Sequence, residues 1–268
     1  MQNIYTDYPH INKIINFNGE EWYHKAVKSK NIQYKEFIIQ NKLSKTGHVP
    51  KCINYKDTGF LEQMIQGKTF SELISITPVM LISLSKTLLK LHNYLNCNNY
   101  EDAIEKTIRI EKRYKPINVL ELVVAGMRKS DLLKLGIDYN LIFFISNKLE
   151  NKIRNINHKM TLIHGDVSPQ NVIVTPKKKI VIVDWTDCRI DVGLSDLSQA
   201  IHLMHLNDEQ QSMLLKYYPH PLNFPLFIEF QILLHCLYDT ISKHLANKPI
   251  LQEKLTYDQT LSKILTRL

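Results

Sequence analysis

A chain of 268 residues with 44% hydrophobic content can bury a sizeable core in one large or two smaller domains. A net charge of +8 admits nucleic acid, an anionic surface or an anionic substrate as partner. The lysines are scattered along the whole chain, however, and no Arg-rich block is interleaved with aromatics. The charge therefore reads as a solvated basic surface, with no nucleic-acid footprint. Cys52, Cys97, Cys188 and Cys236 lie far apart and form no C-x-x-C pair, which argues against a zinc or thioredoxin-like site and for free thiols in a reducing compartment. The first thirteen residues hold no apolar signal core, and no run reaches transmembrane length. A cytoplasmic protein without a membrane partner is expected.

Taken in order, residues 11–28 read as a hairpin. Ile11, Ile14, Ile15 and Phe17 lead into Asn18-Gly19, a strong short turn signal, and the chain returns from Trp22. A helix follows over 31–43, then two strands over 49–55 and 59–65. Gly67 breaks the pattern. A short helix is expected over 69–76, and a longer one over 79–95 with Pro78 in its first turn and Leu81, Leu84, Leu88, Leu91 and Leu95 at helical spacing. Further helical patterns cover 102–114, 119–135 and 140–156. Others cover 194–206, 208–218, 225–246 and 250–268. Strands come first and helices later, which is an α+β layout: a small sheet lobe over 1–66 and a larger helical lobe over 67–268.

One stretch of the second lobe breaks its helical character. Leu162-Ile163-His164-Gly165-Asp166-Val167-Ser168-Pro169-Gln170-Asn171 runs into an apolar strand. Ile180-Val181-Ile182-Val183-Asp184-Trp185 forms the returning strand. The lysine-rich turn 175–179 joins the two as a hairpin with a polar tip. Asp166 and Asn171 precede the first strand and Asp184 ends the second, so three oxygen-bearing side chains share one end. A hard cation requires oxygen ligands. An alcohol nucleophile requires a carboxylate to orient it and take its proton.

His164-Gly165-Asp166 with Asn171, followed by Val183-Asp184-Trp185, resembles the aminoglycoside phosphotransferase and choline kinase family, which has a protein-kinase-like fold. The spacing from Asp166 to Asn171 is that of the kinase catalytic loop. Other segments are similar to the family too. Asn18-Gly19 to Lys25 resembles the turn and third strand of the small lobe, and Glu36 falls where the family keeps its lysine-pairing glutamate. The run from Phe60 to Gly67 is similar to the hinge, and Leu88 to His92 to the helix after it. Asp191 to Leu197 resembles the D-x-x-x-x-D-L segment. The resemblance covers roughly 10–205.

It implies a bilobal α+β enzyme that moves the γ-phosphate of ATP (or GTP) to a hydroxyl on a small molecule. Asp166 would be the catalytic base. Asn171 and Asp184 would hold Mg2+. Lys25, kept in place by Glu36, would neutralise the nucleotide phosphates, and backbone groups at Gln63 and Ile65 would bond the base edge. Ile15, Val27, Ile173 and Ile182 would line the base. Lys28 competes with Lys25, because strand alternation puts the two on opposite faces; counting from the Asn18-Gly19 turn favours Lys25. His164 is read as a residue that packs and hydrogen-bonds beneath the loop. Asp191 and Asp196 are read as organising groups, and His202 and His205 as interior or surface histidines.

Departures from the kinase pattern narrow the substrate. Only Gly19 stands in place of a glycine-rich phosphate loop. Gly165 replaces the arginine of H-R-D, and Trp185 the phenylalanine of D-F-G. Asp196 follows Asp184 by only a dozen residues, which leaves no room for an activation segment. The expected partners are therefore a nucleoside triphosphate and a hydroxylated small-molecule acceptor. Aminoglycosides, choline, sugars and amino alcohols all remain open as acceptors. A reduced protein kinase and a nucleotide-binding pseudokinase are the competing readings.

Overall fold

The structure, a computed structural model, describes residues 11–26, 30–55, 59–95, 129–154, 160–219 and 224–267. The helix expected over 102–114 and most of that over 119–135 lie outside them. So do Val27 and Lys28. The chain divides into two compact units. The first is drawn from Met1–Ile110 and His164–Cys188, the second from Glu111–Ile163 and Arg189–Leu268.

In the first unit, strands β1 (Ile11–Phe17) and β2 (Glu20–Ala26) form the expected hairpin. Asn18 and Gly19 both take positive φ, 53° and 83°, as a two-residue turn of this hand requires. Helix α1 (Lys30–Leu43) follows, then β3 (Cys52–Tyr55) and β4 (Gly59–Gln63). The four strands make one antiparallel sheet in the order β1-β2-β4-β3. β3 begins later than the pattern suggests, beyond Pro50, which has no N–H for a ladder.

After β4 the expected helix over 69–76 is replaced by something shorter. Lys68–Thr69 is a two-residue strand, β5, and Phe70–Glu72 is a single 3-10 turn. Thr69 and Glu72 close a reciprocal capping box on that turn, and the helical geometry ends with it. β5 pairs with β7 (Val172–Val174), which pairs with β8 (Ile180–Ile182). Gly67 leads into β5 at a close approach: a Cβ there would lie 2.5 Å from the Val174 carbonyl oxygen. Helix α2 (Pro78–Leu95) buries Leu81, Leu84, Leu88 and Leu91 completely. The segment after α1 pins the β7–β8 hairpin, because His48 accepts from the Ile182 amide through its carbonyl and its ring nitrogen Nδ1 donates to the Ile180 carbonyl.

The second unit holds a two-stranded sheet of β6 (Met160–Ile163) and β9 (Arg189–Val192). The sequence pattern does not reveal this pair, and Asp191, read as an organising group, sits in its second strand. The remaining described elements are helices: α3 (Lys129–Lys134), α4 (Tyr139–Arg154), α5 (Leu194–Leu203), α6 (Asp208–Leu215), α7 (Phe224–Leu245) and α8 (Leu251–Arg267). α5 stops short of the expected 206 because His205 takes a left-handed φ of 51°. Phe230, Leu233, Leu237 and Ile264 are fully buried core residues here. His202 on α5 bonds the Asp239 carboxylate on α7 at 2.8 Å and lies 3.5 Å from the Cys236 sulfur, which makes it an interior residue of this unit. Among the described residues no helix is long and apolar enough to cross a membrane.

Candidate active site

The seven residues given a catalytic, nucleotide or metal role are all among those described, and all belong to the first unit. Five of them fall in two clusters, and Gln63 and Ile65 lie at the end of β4.

The first cluster forms on the strand ends. β2 and β4 pair with Tyr23 opposite Glu62 and Lys25 opposite Phe60. Residues opposite one another, and those two apart along a strand, share a face. Lys25 and Glu62 therefore stand on the same side of the sheet, and α1 lays Glu36 against them. Lys25 Nζ lies 2.8 Å from Glu36 Oε1, 3.2 Å from Glu62 Oε2 and 3.9 Å from Asp184 Oδ1. Lys25, Glu36 and Glu62 are nearly or wholly buried, whereas 41% of the Asp184 side chain is exposed. Burial alone would lower the proton affinity of Lys25, but the carboxylates of Glu62, Glu36 and Asp184 outweigh it and hold the ammonium charged well above its ordinary range. Glu36 is pushed up as well: burial raises its pKa against the pull of Lys25.

The second cluster is the loop between β6 and β7. Gly165, at a φ of 84°, turns the chain out of β6, a conformation that favours glycine. The Asp166 amide then donates back to His164 Nδ1 at 3.2 Å, and His164 Nε2 faces the Val183 carbonyl at 2.9 Å. A carbonyl only accepts, so Nε2 carries the proton and Nδ1 is the acceptor; both bonds require neutral imidazole. His164 is fully buried and meets the Trp185 ring edge-on at 4.7 Å. It ties the loop to the segment that carries Asp184.

Asn171 closes the loop from its other end. Its Nδ2 donates to the Asp166 backbone oxygen at 3.1 Å and to the Asp166 carboxylate at 2.8 Å. The amide nitrogen is thus committed to Asp166, which leaves Oδ1 as the ligating atom of that side chain. The Asn171 carbonyl also accepts from the Val183 amide at 3.0 Å, fixing the loop one residue before Asp184. Burial raises the pKa of Asp166. The nearby Asp187 and Asp184 add to the shift, and the Ser168 hydroxyl opposes it. Its carboxyl is therefore more basic than an ordinary aspartate.

Asp184 links the clusters. It has a left-handed φ of 62°, which aspartate tolerates at some cost. Thr186 Oγ1 donates to its Oδ1 at 2.6 Å and stands 3.4 Å from Glu36 Oε2. Asp184 is both partly exposed and within reach of Lys25, so one hairpin end joins the lysine cluster to the loop. Among the described residues no three His, Cys, Asp or Glu side chains converge as a metal site. Asn171 and Asp184 offer two oxygen donors instead, the number that suits magnesium held largely by substrate phosphates.

Gln63 and Ile65 sit where β4 runs out. The Gln63 amide is engaged by the Lys51 carbonyl at 2.8 Å, and Ile65 lies in the four-residue connection to β5. Sequence reasoning did not single out Glu62, Gln40 or Thr186. An acid inside the otherwise apolar run Phe60-Leu61-Glu62 was a legible signal for the first. The other two depend on contacts between elements.

A family model for choline/ethanolamine kinase matches residues 23–212, well over half of the chain and a span that includes every residue of both clusters. No curated relative matches the chain in sequence. Several solved structures share its fold. The choline kinase LicA from Streptococcus pneumoniae superposes with a TM-score of 0.64 at 13% identity, over 95% of this chain and 89% of that one. The GDP complex of aminoglycoside 2'-phosphotransferase-IIIa gives a TM-score of 0.63 at 14% identity, over 97% and 91%. The spectinomycin phosphotransferase APH(9)-Ia, in complex with ADP and spectinomycin, gives 0.63 at 12%, over 97% and 91%. The architecture is thus the protein-kinase-like α+β fold expected from the motif. The chain belongs to the choline/ethanolamine kinase family and is a small-molecule kinase.

Proposed function

We propose that this chain transfers the γ-phosphate of ATP or GTP to the hydroxyl of a small amino alcohol of the choline or ethanolamine class. One observation carries the reading: the first unit joins an acid–amide pair, Asp166 and Asn171, to a lysine–glutamate pair, Lys25 and Glu36, through Asp184. Asp166 orients the acceptor hydroxyl and takes its proton as the oxygen attacks the γ-phosphorus. The bond from that phosphorus to the β-phosphate bridging oxygen breaks, and the nucleoside diphosphate leaves. The raised pKa of Asp166 suits a group that must accept a proton. Lys25 faces the nucleotide phosphates, and Glu36 fixes its position. Gln63 and Ile65 present backbone groups to the base. Asn171 Oδ1 and the Asp184 carboxylate would hold magnesium, which neutralises charge on the phosphate oxygens when bound. Solved structures of this fold were determined with ADP and with GDP, which supports nucleotide binding.

An aminoglycoside-type acceptor is the second reading, favoured by the fold shared with the kinase complexed with spectinomycin. One screen tests both: nucleoside diphosphate release with ATP and with GTP against choline, ethanolamine, amino alcohols, sugars and aminoglycosides. Acceptor-dependent release is expected, and Asp166→Asn should lower it by about 10²–10⁴ while nucleotide still binds. Wild-type rates from Asp166→Asn would remove Asp166 as the base. Autophosphorylation in place of acceptor turnover would move the assignment to a protein kinase. Nucleotide binding without any turnover would move it to a binding module.

A further inference from the structure

The lysine cluster holds more carboxylate than one ion pair needs. Glu36 alone satisfies the pairing that the family resemblance implies. Yet Glu62 also lies against Lys25 Nζ, at 3.2 Å, and it is 5% exposed. We propose that Glu62 is a second positioning residue for Lys25, so that the lysine is clamped between α1 and β4. This rests on reading Lys25 as the phosphate lysine.

Three observations carry the proposal. Strand register puts Glu62 on the Lys25 face of the sheet by construction, since Tyr23 opposite Glu62 and Lys25 are two residues apart on β2. The side chain is also held in place: Gln40 Nε2, fully buried on α1, donates to Glu62 Oε2 at 2.6 Å. That same oxygen faces Lys25, so helix, strand and lysine meet on one carboxylate. The third observation is the contrast with Asp184. It stands farther off, at 3.9 Å, and is partly exposed, while both glutamates are closed from solvent. Asp184 is therefore the partner that can turn to another ligand, and the two glutamates are the ones that stay.

The consequence is mechanical. Glu62 immediately precedes Gln63, where β4 gives way to the connection proposed to contact the base. A shift of β4 moves Glu62, and through it the lysine. Contact with the base and placement of the phosphate lysine are then one rigid arrangement. A lone Glu36 would give no such tie, because it belongs to the helix.

The test uses the full chain as wild type, Glu62→Gln, Glu36→Gln and the double variant. The first readout is the acetylation rate of Lys25 by acetic anhydride in the absence of nucleotide, measured by mass spectrometry against the exposed Lys86 as internal standard. Each single variant should raise labelling about tenfold, as expected when one of several carboxylates is lost. The double should raise it more than the product of the singles, because no buried carboxylate remains. The second readout is the affinity for magnesium ATP by titration calorimetry. Singles should weaken it by up to about tenfold, and the double should again exceed their product. If Glu62→Gln fails to fold, Glu62→Asp keeps the charge but withdraws it, and should show the same direction with a smaller effect. Wild-type labelling of Lys25 in Glu62→Gln, or a double equal to the product of its singles, would overturn the proposal. Absence of ATP and GTP binding by the wild type would instead sink the reading of the site, and the labelling result would still decide on Glu62.

Discussion

Lys25→Met removes the cation from a cluster that holds Glu36, Glu62 and Asp184 within 3.9 Å of it. The methionine keeps much of the volume, so packing loss is small. What remains is two buried carboxylates without their counter-ion. Breaking a buried ion pair from one side typically costs about 3–5 kcal/mol. The first unit should lose stability of that order, a large part of what a domain possesses. The size of the loss should also depend on pH, and its sign is fixed. In the wild type Lys25 binds its proton more tightly folded than unfolded. Its contribution is fully present below the unfolded value near 10.5 and lost only as pH rises through the folded one, so it is flat between pH 5 and 9. In the variant Glu36, whose pKa burial already raises, loses the opposing pull of Lys25 and holds a proton more tightly than in the unfolded chain. Its contribution is full below the unfolded value near 4.5 and is lost as pH rises through the folded one. The deficit against wild type should therefore shrink by about 1 kcal/mol for each pH unit of acidification from 8 to 5.

Urea unfolding of both proteins at pH 8, 6.5 and 5 measures this difference directly, with the slope of the transition checked for constancy. Other groups titrate in both proteins and cancel in the comparison. Adding Glu36→Gln to Lys25→Met should return part of the loss, because a neutral amide is cheaper to bury than a lone carboxylate. Two results would refute the reasoning: Lys25→Met as stable as wild type at pH 8, or a deficit that does not change with pH. Either would mean that the carboxylates are hydrated or already protonated, and that the lysine is not their counter-ion.

Two further outcomes follow from single contacts. Thr186→Val keeps the branched shape but removes the hydroxyl that donates to Asp184 Oδ1 at 2.6 Å. Turnover should fall about fivefold, and the magnesium concentration for half-maximal rate should rise, with the melting temperature nearly unchanged; an unaltered magnesium dependence would show that Thr186 does not orient Asp184. In the second unit, His235 is half-buried and stacks on His202, and burial pushes its pKa down to about 3, with His202 and Arg189 adding to the effect. A base held neutral in this way contributes stability above the unfolded value near 6.5, and that stability is lost as pH falls toward the folded value. Moving from pH 7.5 to 5 should cost about 2 kcal/mol through this residue. His235→Leu, which also removes the unpartnered buried Nε2, should flatten that part of the pH profile; an identical slope in the variant would place the proton elsewhere.

What the sequence made legible was governed by local rules. The Asn18-Gly19 turn set the β1–β2 register, Pro78 marked the start of α2, and leucines at helical spacing identified its buried face. Asp166, Asn171 and Asp184 were legible because the loop is short and closes on itself, so spacing in sequence is nearly spacing in space. What stayed hidden depends on distant partners. β5 has two residues and exists only because β7, about a hundred positions later, supplies its ladder. β9 reads as an irregular linker until β6 is set beside it. Glu62 belongs to the same class. Its place beside Lys25 follows from the pairing of β2 with β4, and no window of either strand contains that register.

The β9 strand bears on the acceptor more than its length suggests. The interval from Asp184 to Asp196 is fully accounted for. Trp185 to Cys188 is a tight turn, closed by the Cys188 amide on the Trp185 carbonyl at 3.3 Å. Arg189–Val192 is then consumed by pairing with β6, and α5 begins at Leu194. Every residue is held in a turn, a strand or the first turn of a helix, and Trp185 is itself buried with its indole nitrogen bonded to Ile182. A protein kinase uses a segment at this point as the platform for an extended peptide. Here no residue is left to build one. An extended peptide platform therefore has no counterpart within this interval, in keeping with a small-molecule acceptor. The shortness of the interval, read as a number in the sequence, becomes a physical reason for the small substrate once the strand that fills it is known.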